Sequence, residues 1–425
     1  MPNVLLFNKS PTLTCIGILD SSNMKRNIFS FQVFGKYILS IEMWLILLTI
    51  LLGIIPQYIL MDFGDYAPGN VEGSFGVNAY GWINGDFGGG TTARCVILGL
   101  ISCEILFSAI PISGAELHSH KNTMASNMRI VDTPQDYIFD LLLINAANTI
   151  PVLSNKANRI SNTHYRIGLW HWETSYLPSD QADAGRYYDE IWTPSTYVAN
   201  SILHSPTFPI SVMVKVIPYG YESLPALVTS ELRLKSRLLL PSLLPVDGDT
   251  GVACARCSPH ALETLTKWST MNETLTLFLI VFDFNSDYNR KNILGSIDAF
   301  LKAFPAVGST ASTGLILKSS HALHQWADYE HVMWILETTD TEQRIVLLDG
   351  VLPADQLATL KAVPDCYISL HRSEGWGLNI LESLLMGVPV VATAYGGSEQ
   401  FLRPLYERRA PLLRIPYDLV NVSPL

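Results

Sequence analysis

Residues 369–393 read SLHRSEGWGLNILESLLMGVPVVAT. The pattern predicts the end of a strand, a polar glycine-rich turn, an amphipathic helix that Gly387 ends, and a second strand. We expect one helical face to pack on a sheet. That face comprises Ile380, Leu381, Leu384 and Leu385. The polar residues Asn379, Glu382 and Ser383 fall on the other faces.

The turn between this strand and this helix has the composition of an anion site. Gly375 and Gly377 allow the backbone to approach a ligand closely. The first amides of the helix have no partner within the helix and can donate to a phosphate. The segment therefore predicts a pyrophosphate site.

The same alternation of strand-length apolar runs and helical-period segments extends from Phe75 to the end of the chain. It predicts an α/β fold with two Rossmann-like doubly wound parallel-sheet domains and a cleft between them. In the first half, strands are expected near residues 75–82, 105–110, 141–145, 166–171, 190–193 and 212–217. In the second half, strands are expected to end at Phe284, Lys318, Asp349, Leu370 and Thr393. Ligands of such sheets bind beyond the carboxyl ends of the strands.

Four segments follow from this pattern. At 425 residues the chain exceeds one hydrophobic core. We expect residues 1–62 to form an N-terminal extension, 63–220 a first Rossmann-like domain, 221–274 a linker with an insertion, and 275–425 a second Rossmann-like domain. The linker assignment depends on Pro, Gly and Ser without clear periodicity.

The N-terminal extension contains the apolar run MWLILLTILLGIIPQYILM at residues 43–61. This run is long enough to span a bilayer. Basic residues precede the run and Asp62 follows it. This asymmetry predicts a single-pass membrane protein whose N-terminus lies in the cytoplasm. Alternatively, translation begins at Met61 and the protein is cytoplasmic.

Composition excludes some partners. A net charge of -10 and a pI near 5.5 argue against binding to nucleic acid. Cys254 and Cys257 form a CxxC pair, but no second pair completes a structural zinc site, so we expect no metal. The oligomeric state is not determined by these features.

Glu374 and Glu382 stand eight residues apart around the GWG turn. The sequence from His371 to Gly397 resembles the E-x7-E signature of retaining GT-B glycosyltransferases. This group includes glycogen-synthase-like and mannosyltransferase-like enzymes. The resemblance implies that Glu374 faces the hydroxyls of the donor sugar and that Glu382 accepts from the ribose diol. It also implies that the turn and helix start hold sugar and phosphates through Gly375, Trp376, Gly377, Asn379, Ile380 and Leu381. The alternative is that both glutamates are ordinary helix-terminal or solvated residues.

A second segment of the resemblance is FDFNSDYNRKNILGSIDAFLKAF, residues 282–304. Arg290 and Lys291 occupy the positions where similar enzymes clamp the donor phosphates. Cations suit this role because a nucleoside diphosphate leaves in the reaction. A solvated basic turn is the other interpretation.

The first half resembles the acceptor domain of the same enzymes. Gly88, Gly89 and Gly90 would line the cleft opposite the donor phosphates. His171 and Glu173 follow a predicted strand, where related enzymes place polar groups against the reacting sugar; His171 could equally be a packed histidine. The tryptophans Trp170, Trp172 and Trp376 could stack on sugars or belong to the core.

The resemblance implies a hexosyltransferase that takes a UDP- or GDP-linked sugar as its donor substrate, uses no cofactor and retains the anomeric configuration. Similar enzymes continue beyond the position of Leu425, so the donor domain is expected to be C-terminally truncated relative to them. Two rival functions stay open: a non-catalytic nucleotide-sugar-binding remnant and a sugar-nucleotide epimerase of the same fold. The donor base, the sugar, the acceptor and the linkage do not follow from the sequence.

Overall fold

A computed structural model describes residues 74–85, 88–112, 130–219, 227–245, 256–271, 275–305 and 312–419. The chain divides into two compact units, Met1–Leu224 and Pro225–Leu425. Each unit contains its own six-stranded sheet, and every strand pair in both sheets is parallel. The predicted α/β class with two Rossmann-like doubly wound domains is confirmed. The cleft expected between the domains stays a prediction.

The sheet of the first unit has the strand order β2-β1-β3-β4-β5-β6. Its strands are β1 (Ser74–Gly81), β2 (Phe107–Pro111), β3 (Tyr137–Leu143), β4 (Tyr165–Leu169), β5 (Glu190–Thr193) and β6 (Met213–Val216). Its α-helices are α1 (Gly88–Ser102), α2 (Thr149–Ser154), α3 (Ser179–Ala182) and α4 (Thr196–Leu203). Strand β2 lies on one side of β1, and β3 and all later strands lie on the other side. The loops after β1 and β3 therefore flank the switch point of the strand order.

The first core is formed by apolar side chains at alternate positions of these strands. Tyr80, Leu142 and Ile191 are fully buried on one face, and Val198 and Ile202 of α4 pack in the same cluster. Each such aliphatic side chain contributes about 1.5–3 kcal/mol relative to an exposed position. Ser195 begins α4 as its N-cap, since its hydroxyl accepts from the Val198 amide at 3.2 Å.

The sheet of the second unit has the order β12-β11-β10-β7-β8-β9. Its strands are β7 (Leu275–Val281), β8 (Ser312–Ser319), β9 (Ile345–Asp349), β10 (Cys366–Ser369), β11 (Val390–Thr393) and β12 (Leu412–Ile415). Its α-helices are α5 (Ser230–Leu238), α6 (Ala261–Thr270), α7 (Ile293–Ala303), α8 (Trp326–Thr339), α9 (Ala354–Ala362), α10 (Leu378–Leu385) and α11 (Glu399–Glu407). Counted within this unit, the order is that of the Rossmann sheet, with β7 and β10 at its centre.

Both faces of the second sheet are covered. Leu277 and Leu279 of β7 point into one core cluster, whereas Ile280 points into the other. The second cluster includes Ile297 and Phe300 of α7, each no more than 3% exposed. A strand that is buried on both faces carries a continuous apolar run, which explains the sequence LTLFLIV.

The structure differs from the expected linker at residues 221–274. The parts of this range that the structure describes include α5 and α6, and the compact unit begins at Pro225. Leu265 and Trp268 of α6 are buried in the core of the second unit, so this segment is part of that domain. The two helices have only 9 and 10 residues, so each shows little helical period in the sequence.

Two further details differ from the sequence-based prediction. Strand β7 ends at Val281 rather than Phe284, because the Asp283 carboxylate accepts from the Asn285 amide at 2.9 Å and begins a 3₁₀ turn. Strand β12 was not predicted: its four residues lie at the sheet edge and are defined by pairing with β11. Within the described residues, no helix combines the length and apolar character needed to cross a bilayer, and the run at 43–61 lies outside them.

Candidate functional site

The predicted donor-site residues converge where β7 and β10 end. These strands are neighbours in the sheet although they are far apart in the chain. Hydrogen bonds join the loops that follow them: the Arg372 amide donates to the Arg290 carbonyl at 2.8 Å, and the Asn292 side-chain amide donates to the Leu370 carbonyl at 2.9 Å. The site therefore lies at the switch point of the Rossmann sheet, where such sheets bind ligands.

Three charged side chains form the centre of this site. The Lys291 Nζ donates to Oε2 of Glu374, and Arg290 Nη1 lies 3.8 Å from the same oxygen. Arg290 Nη1 also donates to the Ser373 carbonyl at 3.0 Å. The Glu374 side chain is 11% exposed and that of Lys291 is 17% exposed. Sequence analysis predicted each of these residues, and the structure brings them together.

Glu374 is ionised in this setting. Burial alone would raise the pKa of its carboxyl, but the nearby positive charges of Lys291 and Arg290, with a smaller contribution from His371, outweigh burial and lower the pKa to about 2. A charged carboxylate has acceptor oxygens only, so this group can receive hydrogen bonds from hydroxyls of a ligand. Because Lys291 and Arg290 are positive and Glu374 is negative, the three side chains together carry a net positive charge. This charge favours binding of an anion.

The backbone around Glu374 is held by a glycine pair after β11. The Gly397 amide donates to the Glu374 carbonyl at 2.6 Å. Gly396 has φ of +88°, and a Cβ atom at this position would lie 2.6 Å from the same carbonyl oxygen. A glycine is therefore required there, both for the backbone conformation and for the close approach. Sequence analysis did not assign either glycine to the site.

His371 is a second site residue that sequence reasoning missed. It is 1% exposed, its Nε2 lies 3.0 Å from the Tyr395 carbonyl, and its Nδ1 lies 3.0 Å from the Ser369 hydroxyl. Burial lowers the pKa of His371, so the neutral ring is favoured. Nδ1 also lies 3.1 Å from the Ser369 carbonyl, so each nitrogen of the neutral ring faces a carbonyl and only one of them can donate. The ring thereby joins the end of β10 to the loop after β11. The only sequence signal was its place at a strand end.

Helix α10 starts at the glycine turn as predicted. Gly375, Trp376 and Gly377 are buried, and Gly377 has φ of +91°, which a side chain would disfavour. Trp376 is 7% exposed and its ring packs edge-on against Phe401, so the structure supports the core interpretation for this tryptophan. Leu378 is the first residue of the helix.

The faces of α10 differ in part from the expectation. Ile380 is buried, but Ser383 is also buried and its hydroxyl donates to the Asn379 carbonyl at 2.8 Å. Leu381, Leu384, Leu385, Asn379 and Glu382 are only partly buried. A small serine can occupy the inner face because its hydroxyl is satisfied within the helix. The Glu382 carboxylate pairs with Lys361, a residue that sequence analysis did not single out.

In the first unit, the three predicted glycines form the first turn of α1. Gly90 packs so closely on the Gly85 carbonyl that a side chain would not fit, whereas Gly88 is exposed. These contacts account for Gly90 by local packing. The role of all three in lining a cleft stays a prediction.

His171 and Glu173 follow β4 as predicted, and both are partly buried. The His171 amide donates to Asn145 Oδ1 at 3.1 Å, and its Nδ1 lies 3.3 Å from the Tyr219 hydroxyl. Burial raises the pKa of Tyr219 well above its usual value, and the charge of Glu173 adds to the effect. His171, Glu173 and Tyr219 therefore form one polar group, of which Tyr219 was not predicted.

The two tryptophans beside His171 differ in environment. Trp170 is 1% exposed and packs edge-on against Tyr188, so it belongs to the core. Trp172 is partly buried, and its ring nitrogen donates to the Tyr176 carbonyl at 2.8 Å. The described part of the chain contains no group of three or more potential metal ligands. The Cys257 thiol donates to the Asp349 carbonyl at 3.9 Å, and Cys254 lies outside the described residues.

Comparison with known families identifies the segment that carries the site. Residues 339–408 match the family model of glycosyl transferases group 1. This range extends from the end of α8 to the end of α11 and contains Glu374, His371, Lys361 and Glu382. No curated protein matches the chain. The family match agrees with the resemblance found in the sequence and covers the segment that carries Glu374 and Glu382.

Several solved structures are similar in fold. Anabaena HepE in complex with UDP and glucose is 13% identical, with 77% of this chain and 83% of that chain covered and a TM-score of 0.49. A glycosyltransferase from Rickettsia africae is 12% identical, with coverages of 81% and 84% and a TM-score of 0.49. WaaG, a glycosyltransferase involved in lipopolysaccharide biosynthesis, is 13% identical, with coverages of 80% and 86% and a TM-score of 0.45.

Proposed function

We propose that the chain is a group 1 glycosyltransferase, that its second unit binds a UDP- or GDP-linked sugar, and that it transfers the sugar with retention of anomeric configuration. The observation that carries the proposal is the convergence of Glu374, Lys291 and Arg290 at the switch point of the second sheet. One carboxylate and two cations match the two chemical halves of such a donor, the polyol and the diphosphate.

The cations stabilise the leaving group. As the glycosidic bond breaks, negative charge develops on the nucleoside diphosphate, and preorganised cations in a partly buried site lower the energy of that charge. Lys291 and Arg290 are fixed by the loop after β7 and are already partly desolvated. No metal ion is required for this role. The turn at Gly375–Gly377 and the first amides of α10 add donors for the phosphates.

Glu374 orients the sugar. Its ionised carboxylate can accept from two neighbouring hydroxyls of the donor sugar, and the hydrogen bond from the Gly397 amide holds its backbone in place. Glu382 is proposed to accept from the ribose diol. In same-face substitution the leaving phosphate takes the proton of the acceptor hydroxyl, so no enzyme nucleophile is needed. In the first unit, His171 and Glu173 are the proposed contacts of the acceptor.

The test measures donor binding and turnover separately. Full-length protein is screened against UDP- and GDP-sugars by thermal shift, and release of nucleoside diphosphate is then measured with candidate acceptors. Glu374→Gln removes the charge with little change in shape, and Glu337→Gln, on the exposed face of α8, is the matched control. We expect stabilisation and release in the wild type and the control, and a loss of release of about 100-fold or more in Glu374→Gln.

Other results of these measurements would favour one of the two rival functions. Stabilisation without release under every acceptor condition would favour a nucleotide-sugar-binding remnant. Conversion of the sugar on the intact nucleotide would favour an epimerase. A folded protein that no nucleotide or nucleotide sugar stabilises would overturn the donor site. The anomeric configuration of the product, read by NMR, tests retention.

A further inference from the structure

We propose that Lys361 is a positioning residue that orients Glu382 for the ribose of the donor. This inference rests on the proposed function, in which Glu382 accepts from the ribose diol. Lys361 lies in α9 and Glu382 in α10, 21 residues apart. Its Nζ donates to Oε2 of Glu382. Nothing in the spacing of Glu374 and Glu382 indicates a role for this lysine.

Both ends of the pair have a fixed backbone. Lys361 stands between Leu360 and Ala362, which are 0% and 4% exposed in the core of the second unit. Glu382 stands beside the buried Ser383, one turn from the end of α10. Since the two helices cannot move independently of this core, the ion pair has little freedom to choose another geometry.

The pair is sheltered but open to a ligand. The side chain of Lys361 is 12% exposed and that of Glu382 is 23% exposed. Within the described part of the chain, Lys361 is the side-chain partner of the Glu382 carboxylate. A carboxylate has about four acceptor sites on its two oxygens. The lysine uses a site on Oε2, so Oε1 stays available for hydroxyl groups.

The arrangement differs from an ordinary surface ion pair. Lys302 and Asp298 on α7 form such a pair at 2.7 Å, with side chains that are 76% and 60% exposed. An exposed pair of this kind has little effect on the conformation of either partner. In the partly buried pair, by contrast, removal of Lys361 would leave the Glu382 carboxylate without a counter-charge and free to turn away from the ribose.

The test compares nucleotides that differ only in the 2′-hydroxyl of the ribose. Affinities of UDP and GDP and of their 2′-deoxy counterparts are measured by calorimetry on the full-length protein. Wild type is expected to prefer the ribonucleotide by about tenfold, the effect of one hydrogen bond to a charged group. Lys361→Met should reduce this preference to about threefold or less, and Lys361→Arg should restore it in part. Lys235→Met, which breaks an exposed pair with Glu231 on α5, should leave it unchanged.

The outcomes separate this inference from the proposed function. If no nucleotide binds to the folded wild type, the proposed function fails and the role of Lys361 fails with it. If nucleotides bind and Lys361→Met weakens ribo- and deoxyribonucleotides equally, the lysine is structural and the inference alone is overturned. Glu382→Gln provides a second measurement that does not depend on folding of the lysine variant. It should lose the preference for the ribonucleotide over the 2′-deoxynucleotide. The double variant Lys361→Met/Glu382→Gln should show no further loss of this preference.

Discussion

Replacing Lys291 by methionine should make the stability of the protein strongly dependent on pH. In the wild type the pKa of the Glu374 carboxyl is about 2 instead of 4.5, although burial opposes ionisation. A difference of this size in pKa corresponds to about 3 kcal/mol in favour of the folded state with a charged carboxylate. Because the folded-state pKa is depressed, this contribution is present above about pH 4.5 and is lost as pH falls through about 2.

Lys291→Met removes the nearest cation and leaves Arg290 at 3.8 Å. The burial that opposes ionisation persists, so the pKa of Glu374 should rise and the carboxylate should destabilise the fold near neutral pH. We expect a loss in the free energy of unfolding of about 2–4 kcal/mol at about pH 7. The difference from the wild type should decrease toward about pH 4.5, where the variant can protonate Glu374. Urea unfolding followed by tryptophan fluorescence measures both values.

Lys302→Met on the exposed face of α7 is the matched control and should change stability by no more than about 0.5 kcal/mol. The double variant Lys291→Met/Glu374→Gln should recover part of the loss, because it removes the charge left without a partner. The reasoning is refuted if Lys291→Met is no worse than the control at about pH 7, or if its loss is the same at both pH values.

Two further predictions concern the backbone around the carboxylate. Gly396→Ala places a Cβ 2.6 Å from the Glu374 carbonyl oxygen at φ of +88°. The control Gly387→Ala has a similar φ of +76°, but its Cβ meets only Leu227, at 3.6 Å. Calorimetry should show weakened donor binding in Gly396→Ala only, and equal effects of the two variants would contradict the role of Gly396. Burial lowers the pKa of His371, so the unfolded chain binds its proton more readily and stability should fall as pH decreases below about 6.5. In His371→Gln, whose amide can still donate to the Tyr395 carbonyl, thermal melts should lose that acid sensitivity, and an unchanged pH profile would contradict it.

The sequence by itself determined the local chemistry of the candidate donor site. The GWG turn between a strand and a helix, the spacing of Glu374 and Glu382, and the cations after β7 are all local patterns, and backbone preferences within a few residues produce them. Strand positions were recovered for the same reason wherever burial on both faces left a continuous apolar run. The short edge strand β12 has no such run and could not be recognised.

Only the tertiary structure decided which of these groups meet. Lys291 and Glu374 are 83 residues apart, and they touch because β7 and β10 pair at the centre of the sheet. Strand order depends on contacts between distant segments, which a periodic pattern does not encode. The same holds for Lys361 beside Glu382 and for Gly396 against Glu374. Each contact is set by how a helix or loop packs on the sheet, so the sequence shows the residues as unrelated and the fold makes them one site.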